Sequence, residues 1–142
     1  MNLLLIDILA RLPYGVVLDI DTSDWKAPQG HIKLKVDGVG VISKNMSLIV
    51  NGCYYGEKYK PYLRSMEDMT REERYELREI IGKDVEISDG SIDIIDSSRK
   101  CFSFLELQAV FNWLNKNMFD YMGLIPMRLA IKVTKENNPY EK

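Results

Sequence analysis

His31 is the sole histidine of this chain, and Cys53 and Cys101 are its two cysteines. Nucleophilic catalysis needs a nucleophile, a base and a group that orients the base, and no local motif links His31 to either cysteine. His31 opens a stretch whose apolar residues lie on the opposite parity, so it reads as a solvent-facing or turn histidine. The aspartates offer a sharper option. Asp19, Asp21 and Asp24 gather at one strand end, and Asp93 and Asp96 sit in a second acidic stretch. Asp19 and Asp21 share a strand face, and with Asp93 they could hold magnesium for a small hydrolase or nuclease. The simpler reading is that strand-end aspartates form turns by bonding their own backbone. There is no Cys-x-x-Cys, no His-Glu-x-x-His and no EF-hand loop. Gly38-Val39-Gly40 lacks the following helix that a phosphate cradle requires. No catalytic residue, resident metal or cofactor is assigned on this basis.

Binding chemistry has more to draw on. Tyr54, Tyr55, Lys58, Tyr59, Lys60, Tyr62 and Arg64 form an aromatic-basic run, and Lys33 and Lys35 fall on the exposed face of their strand. Tyrosine and arginine are favoured at protein-recognition hot spots. On a small sheet the same residues could stack bases and touch phosphates. The formal net charge of −2 lacks the basic excess of a nucleic-acid binder, so a protein partner is the expectation. The loop from Phe119 to Pro126, with Phe119 and Tyr121, is a second candidate contact surface. Oligomeric state is not legible.

The elements that must position these residues follow from periodicity. The chain has 142 residues, 46% hydrophobic and 28% charged, which fits one globular domain. Two distant cysteines make no disulfide framework, Asp7 and Arg11 interrupt the amino-terminal apolar run before it reaches signal length, and no stretch is a membrane span. A cytoplasmic setting is expected. Met1 to Leu12 reads as a helix with Leu5, Ile8, Leu9 and Leu12 inward and Asp7 and Arg11 off the stripe, ended by Pro13. Tyr14 to Tyr59 reads as β-rich. Gly15 to Ile20 is a strand, and His31 to Val36 alternates strictly and turns through Asp37-Gly38 into Val39 to Ile42. Ser47 to Val50 then turns through Asn51-Gly52 into Cys53 to Tyr55. Thr70 and Glu73 form a capping box for a helix that buries Leu77, Ile80 and Ile81 and stops at Gly82. Val85 to Ile95 reads as a hairpin around Asp89-Gly90. Ser103 and Glu106 cap a last helix, Phe102 and Leu107 staple it, and Leu107, Val110, Phe111, Leu114 and Met118 face the core with Trp113 beside them. Leu129 to Val133 is a terminal strand, and residues 134–142 are a frayed tail. The expectation is a single α+β domain: a small antiparallel β-meander or half-barrel, an amino-terminal helix, and two capped helices in the second half.

Three stretches taken together carry a family resemblance. They are Arg11-Leu12-Pro13-Tyr14-Gly15-Val16, then Lys60-Pro61-Tyr62-Leu63-Arg64-Ser65-Met66 with Met69-Thr70, and finally Trp113-Leu114-Asn115 followed by Phe119-Asp120-Tyr121-Met122-Gly123-Leu124-Ile125-Pro126. In this order the chain resembles a group of small uncharacterised proteins encoded by gut Bacteroidales and their phages and integrated elements. That group usually shows histidines where Asn117 and Met118 stand, an arginine at Met122 and a glycine at Arg128. The resemblance implies the setting of a phage or mobile-element accessory protein and carries no activity with it.

Overall fold

A computed structural model describes the backbone of residues 3–36, 39–42, 47–50, 53–56, 58–81, 84–88, 91–95 and 104–141, and the side chains of 3–36, 58–81 and 104–141. The alternating stretches pair into an open four-stranded sheet in the order β2-β1-β6-β9, formed by β1 (Val17–Asp21), β2 (His31–Lys35), β6 (Tyr59–Leu63) and β9 (Ile131–Lys132). β1 lies antiparallel to both β2 and β6, whereas β9 runs parallel to β6. Pro61 cannot donate to a ladder, and pairing with β9 begins only at Tyr62. Beside this sheet, β3 (Val39–Ile42), β4 (Ser47–Val50) and β5 (Cys53–Gly56) make a three-stranded antiparallel meander, and β7 (Asp84–Ser88) pairs with β8 (Ser91–Ile95).

The α+β class is therefore as expected, with an open sheet in place of a half-barrel. Two hairpins follow their turn dipeptides, since Val50 opposes Cys53 across Asn51-Gly52 and Ser88 opposes Ser91 across Asp89-Gly90. The third does not. β2 pairs with β1 while β3 pairs with β4, so β2 and β3 belong to different sheets, and the dipeptide Asp37-Gly38 itself lies outside the described residues. The loop from β1 to β2 is closed instead by buried Thr22. Its N–H and its hydroxyl both donate to the Gly30 carbonyl, at 3.0 and 2.6 Å, and its Oγ1 accepts the Gln29 N–H at 2.8 Å.

α1 (Leu3–Arg11) packs on the inner face of the sheet in a rotation that apolar periodicity did not anticipate. It buries Leu4, Asp7, Ile8 and Arg11 and leaves Leu9 exposed. Asp7 and Arg11 are both 0% exposed. Arg11 donates from Nε and Nη2 to the Asp7 carboxylate at 2.9 and 2.7 Å, and from Nη2 to the Phe119 carbonyl at 2.7 Å. Its guanidinium sits 5.3 Å from the Tyr121 ring centroid. Spacing of four places both charges on one helical face, and a charge can be buried when it is paired and hydrogen-bonded. Burial pushes the Asp7 carboxyl above the usual range, and the Arg11 hydrogen bonds oppose that only in part. Pro13 then opens a 3-10 turn over Leu12–Tyr14.

α2 (Arg71–Ile81) carries the expected capping box. The Glu73 N–H donates to Thr70 Oγ1 at 3.2 Å, and the Thr70 N–H donates to the Glu73 carboxylate at 3.4 Å. Leu77 and Ile81 are buried while Ile80 lies at the surface. α3 (Phe104–Lys116) packs against α2 through Val110, Trp113 and Leu114, with Met66, Met69, Leu77, Ile81 and Phe119 completing that core. Ser103, Phe102 and Gly82, named above as cap, staple and stop, lie outside the described residues. α3 ends in a left-handed cap. The Met118 N–H donates to the Asn115 carbonyl at 3.1 Å and the Phe119 N–H to the Leu114 carbonyl at 3.0 Å, the paired bonds that close a helix around a residue of positive φ. That residue is Met118, at φ 60°. The left-handed conformation costs a non-glycine residue roughly 1–2 kcal/mol, which burial of a methionine side chain, worth about 1.5–3 kcal/mol, offsets.

Within the polar tail from Thr134, Tyr140 is anchored on the sheet. Tyr140 donates its hydroxyl to the Tyr62 carbonyl at 2.7 Å and accepts the Val17 N–H at 3.2 Å. Its ring packs with Val17, Tyr62 and Val133 on the outer face of the sheet. Burial pushes its phenol up to about 12. One aromatic anchor outweighs the polar composition around it. Among the described residues no helix is long and apolar enough to cross a membrane.

Candidate functional site

Register decides what the outer face of the sheet presents. Asp19 of β1 stands between Lys33 of β2 and Lys60 of β6, and Asp21 stands opposite His31. Asp19 is buried, and its carboxylate takes the His31 Nδ1 at 2.7 Å and the Tyr62 hydroxyl at 3.3 Å. His31 itself is open to water, with its side chain 66% exposed. A carboxylate at that distance makes Nδ1 the protonated nitrogen and leaves Nε2 toward solvent. The hydrogen bond and charge of Asp19 hold the His31 pKa above the ordinary 6.5. Burial, and then Asp19, raise the Tyr62 phenol. Lys33 spans this ring at 5.3 Å from its centroid and donates to Asn137 Oδ1 at 3.0 Å.

This arrangement has the base and its orienting acid, two of the three parts of nucleophilic catalysis. Among the described residues no hydroxyl or thiol hydrogen-bonds Nε2. The aspartates divide differently from the expectation of a shared metal site. Asp21 accepts the Ser23 N–H at 2.9 Å, a turn role, and that bond lowers its pKa. Asp24 pairs with Lys58 at 2.9 Å. Asp19 is engaged by His31 and Tyr62, and the Asp93 side chain lies outside the described residues. No three His, Cys, Asp or Glu side chains among the described residues come together as metal ligands.

The aromatic-basic run is split by its own strand. Successive residues of β6 point to opposite faces, so Tyr59 enters the inner core while Lys60 stays exposed on the outer face. Tyr62 is covered by the tail. Lys58 is engaged by Asp24 and by Ser23. Tyr54 and Tyr55 belong to β5, and their side chains lie outside the described residues. Phe119 is fully buried, and Tyr121 is partly buried with its hydroxyl donating to Asn115 Oδ1 at 2.9 Å. Of the described rings proposed as a contact surface, Tyr59, Tyr62 and Phe119 therefore serve the core. The Phe119 to Pro126 loop is shaped by Asp120, whose buried carboxylate accepts the Leu124 and Ile125 N–H groups at 2.8 Å each.

Arg64 has a different fate. It continues β6 beyond Leu63, donating its N–H to the Met118 carbonyl and accepting the Asp120 N–H, both at 2.8 Å. Its guanidinium lies 4.2 Å from the Phe119 ring centroid, and Nη2 donates to both Glu73 oxygens at 2.9 and 3.0 Å. Beside it opens a cleft of about 620 Å³, lined in part by Tyr14, Lys35, Lys116, Asn117, Pro139 and Tyr140. Gly15, at φ 74°, borders the cleft where a Cβ would stand 2.7 Å from Lys35 Cε, so only glycine lets that lysine lie there.

The second unanticipated surface is on α3. Leu107 and Phe111, expected to face the core, are 40% and 45% exposed, and Phe104 and Leu105 are 78% and 75% exposed. The core receives the side of the helix that carries Val110, Trp113 and Leu114, while Phe104, Leu107 and Phe111 lie on an adjoining side that it leaves exposed. Phe111 meets Tyr121 at 5.3 Å between ring centroids. Sequence periodicity correctly marked this face as apolar and could not mark where coverage ends. The Asp7–Arg11 spacing was a visible signal for a buried pair, whereas nothing local announced Tyr140 or the Arg64 stack. Comparison with known protein families, with characterised proteins and with solved structures gives no match to this chain.

Proposed function

We propose that this chain is a non-catalytic accessory protein of a phage or mobile element that works by protein contact through the outer face of α3. The observation that carries it is the row Phe104, Leu107 and Phe111, large apolar side chains one helical turn apart and exposed. Exposed apolar residues scattered singly are ordinary, but a contiguous set marks an interaction surface. Aromatic anchors on a helix are the usual centre of such contacts. A nucleic-acid reading draws on Lys33, Lys35 and Lys60 along the outer sheet face. It ranks second because Tyr59 and Tyr62, the rings it would stack on, are buried.

A photo-reactive phenylalanine analogue placed at 104 or 111, in host cells, tests the contact. It should trap one discrete protein adduct, which the same analogue at exposed Glu136 does not. Phe104→Ser with Leu107→Ser should abolish an adduct trapped from position 111 while leaving the circular-dichroism spectrum unchanged. If neither position traps a protein that the Glu136 control misses, the α3 reading fails.

A further inference from the structure

We propose that the outward face of α2 pairs with the same face of a second copy of this chain, the two helices lying side by side and parallel. Tyr75 stands at the middle of that face, with Leu77 and Ile81 buried on the far side. At roughly 100° per residue, Arg71, Arg74 and Arg78 all fall within about 100° of Tyr75 on one flank, and Glu72, Glu76 and Glu79 within the same angle on the other. All six are exposed except Arg78, which is partly so. The helix thus carries its cations along one edge and its carboxylates along the opposite edge.

Ion pairs within a helix need opposite charges three or four residues apart. Wherever both positions at those spacings are charged in α2, the charges are alike: Arg71 with Arg74, Arg74 with Arg78, Glu72 with Glu76, Glu73 with Glu76, and Glu76 with Glu79. Like charges so placed repel, and each flank is stabilised by opposite charge from outside the helix. The arginine flank borders a cleft of about 520 Å³ lined by Met69, Arg71, Arg74, Tyr75 and Arg78, with no carboxylate among the described residues that line it. Arg71 and Arg78 gather around Tyr75, their guanidinium carbons 5.7 and 5.5 Å from its ring centroid. Across the helix, Glu76 is held on its flank by accepting the Trp113 Nε1–H at 3.2 Å.

The flanks also decide the orientation. In a parallel pair, with the two-fold axis running along the helices, the arginine edge of each copy meets the glutamate edge of the other. An antiparallel pair would set arginine against arginine. In the parallel pair Arg71, Arg74 and Arg78 stand within about 3 Å, along the axis, of Glu72, Glu76 and Glu79 of the other copy, and Tyr75 meets its own copy on the two-fold. Exposed ion pairs are weak one at a time, so the pairing is the sum over both edges and is sensitive to salt. It is separate from the α3 surface and does not depend on it.

Sedimentation equilibrium of the full chain tests the pairing. At about 50 mM salt the chain should reach a monomer–dimer equilibrium below roughly 1 mM protein, and about 500 mM salt should weaken it by about tenfold or more. Position 71 of one copy faces position 72 of the other, so Arg71→Glu and Glu72→Arg should each set like charges together twice in a dimer and weaken it by about tenfold. An equimolar mixture of the two variants should recover the wild-type affinity, because every facing pair in the mixed dimer is again of opposite sign. Recovery on mixing also shows that neither variant is unfolded. A wild-type chain that stays monomeric at low salt, self-association indifferent to salt or to Arg71→Glu, or a mixture no tighter than its components would each overturn the proposal. Association that persists in Arg71→Glu would belong to another face of the molecule.

Discussion

At the scale of single residues, His31 shows how burial of one partner conditions the other. Asp19 lies beneath the surface and His31 above it, so their 2.7 Å hydrogen bond is shielded from below and open to water from above. Because the folded pKa of His31 is raised above 6.5, protonated His31 favours the folded state. Its stabilisation is fully present below pH 6.5 and is lost as pH rises through the folded value. Wild type should therefore lose thermal stability across that window relative to His31→Gln, and the His31 ring resonances should titrate above pH 6.5. Parallel curves of melting temperature against pH for the two proteins would mean that the bond carries no linkage. Local sequence gave half of this arrangement. Alternation placed His31 on the wet face, but the turn dipeptide Asp37-Gly38 pointed β2 toward β3, and only its pairing with β1 brings Asp19 beneath the histidine.

Among the elements, α1 illustrates a competition between two periodic signals. Leu5, Leu9 and Leu12 mark one face and Asp7 with Arg11 another, and the ion pair takes the interior because Phe119 offers a carbonyl and Tyr121 a ring to the guanidinium. A buried pair of this kind adds little net stability, but leaving one partner alone costs about 3–5 kcal/mol. Asp7→Ala should destabilise the protein by about that much in urea unfolding. Asp7→Leu combined with Arg11→Met should cost far less than the two single changes summed, since neither leaves an unpaired charge. Additive losses would show that the two side chains act independently. α3 tells the converse story: its apolar face is wider than the core that receives it, and the excess is the surface assigned to a partner.

For the whole molecule, the carboxyl-terminal segment is the clearest case of long-range organisation. β9 enters the sheet in parallel beside β6, the Val133 N–H donates to the Leu63 carbonyl at 2.8 Å, and Tyr140 then crosses back over Val17 and Tyr62. The tail thus closes the outer apolar cluster and forms one wall of the cleft beside Arg64. Tyr140→Phe keeps the ring but leaves the Val17 N–H and the Tyr62 carbonyl unpaired, and should cost about 1–3 kcal/mol. Removing residues 134–142 should cost more, because the ring's apolar burial goes too. Equal melting temperatures for the full chain and the truncated one would show the tail to be dispensable.

Sequence alone determined the local parts of this protein: the α+β class, the Thr70–Glu73 capping box, the hairpins at Asn51-Gly52 and Asp89-Gly90, the turn role of Asp21 and the apolar face of α3. Each rests on hydrogen bonds or periodicities that close within a few residues, so neighbours in sequence suffice to specify them. Tertiary structure decided the rest. It set β1 between β2 and β6, turned Asp7 and Arg11 inward, sank Tyr59, Tyr62 and Phe119 into the core, anchored Tyr140 and stacked Arg64 on Phe119. These outcomes depend on which distant groups satisfy a buried charge or carbonyl and on which apolar faces find cover. The strand period of two sent Tyr59 into the core and Lys60 to the outer face, and the returning tail covered Tyr62, so one aromatic-basic run was divided by two separate causes.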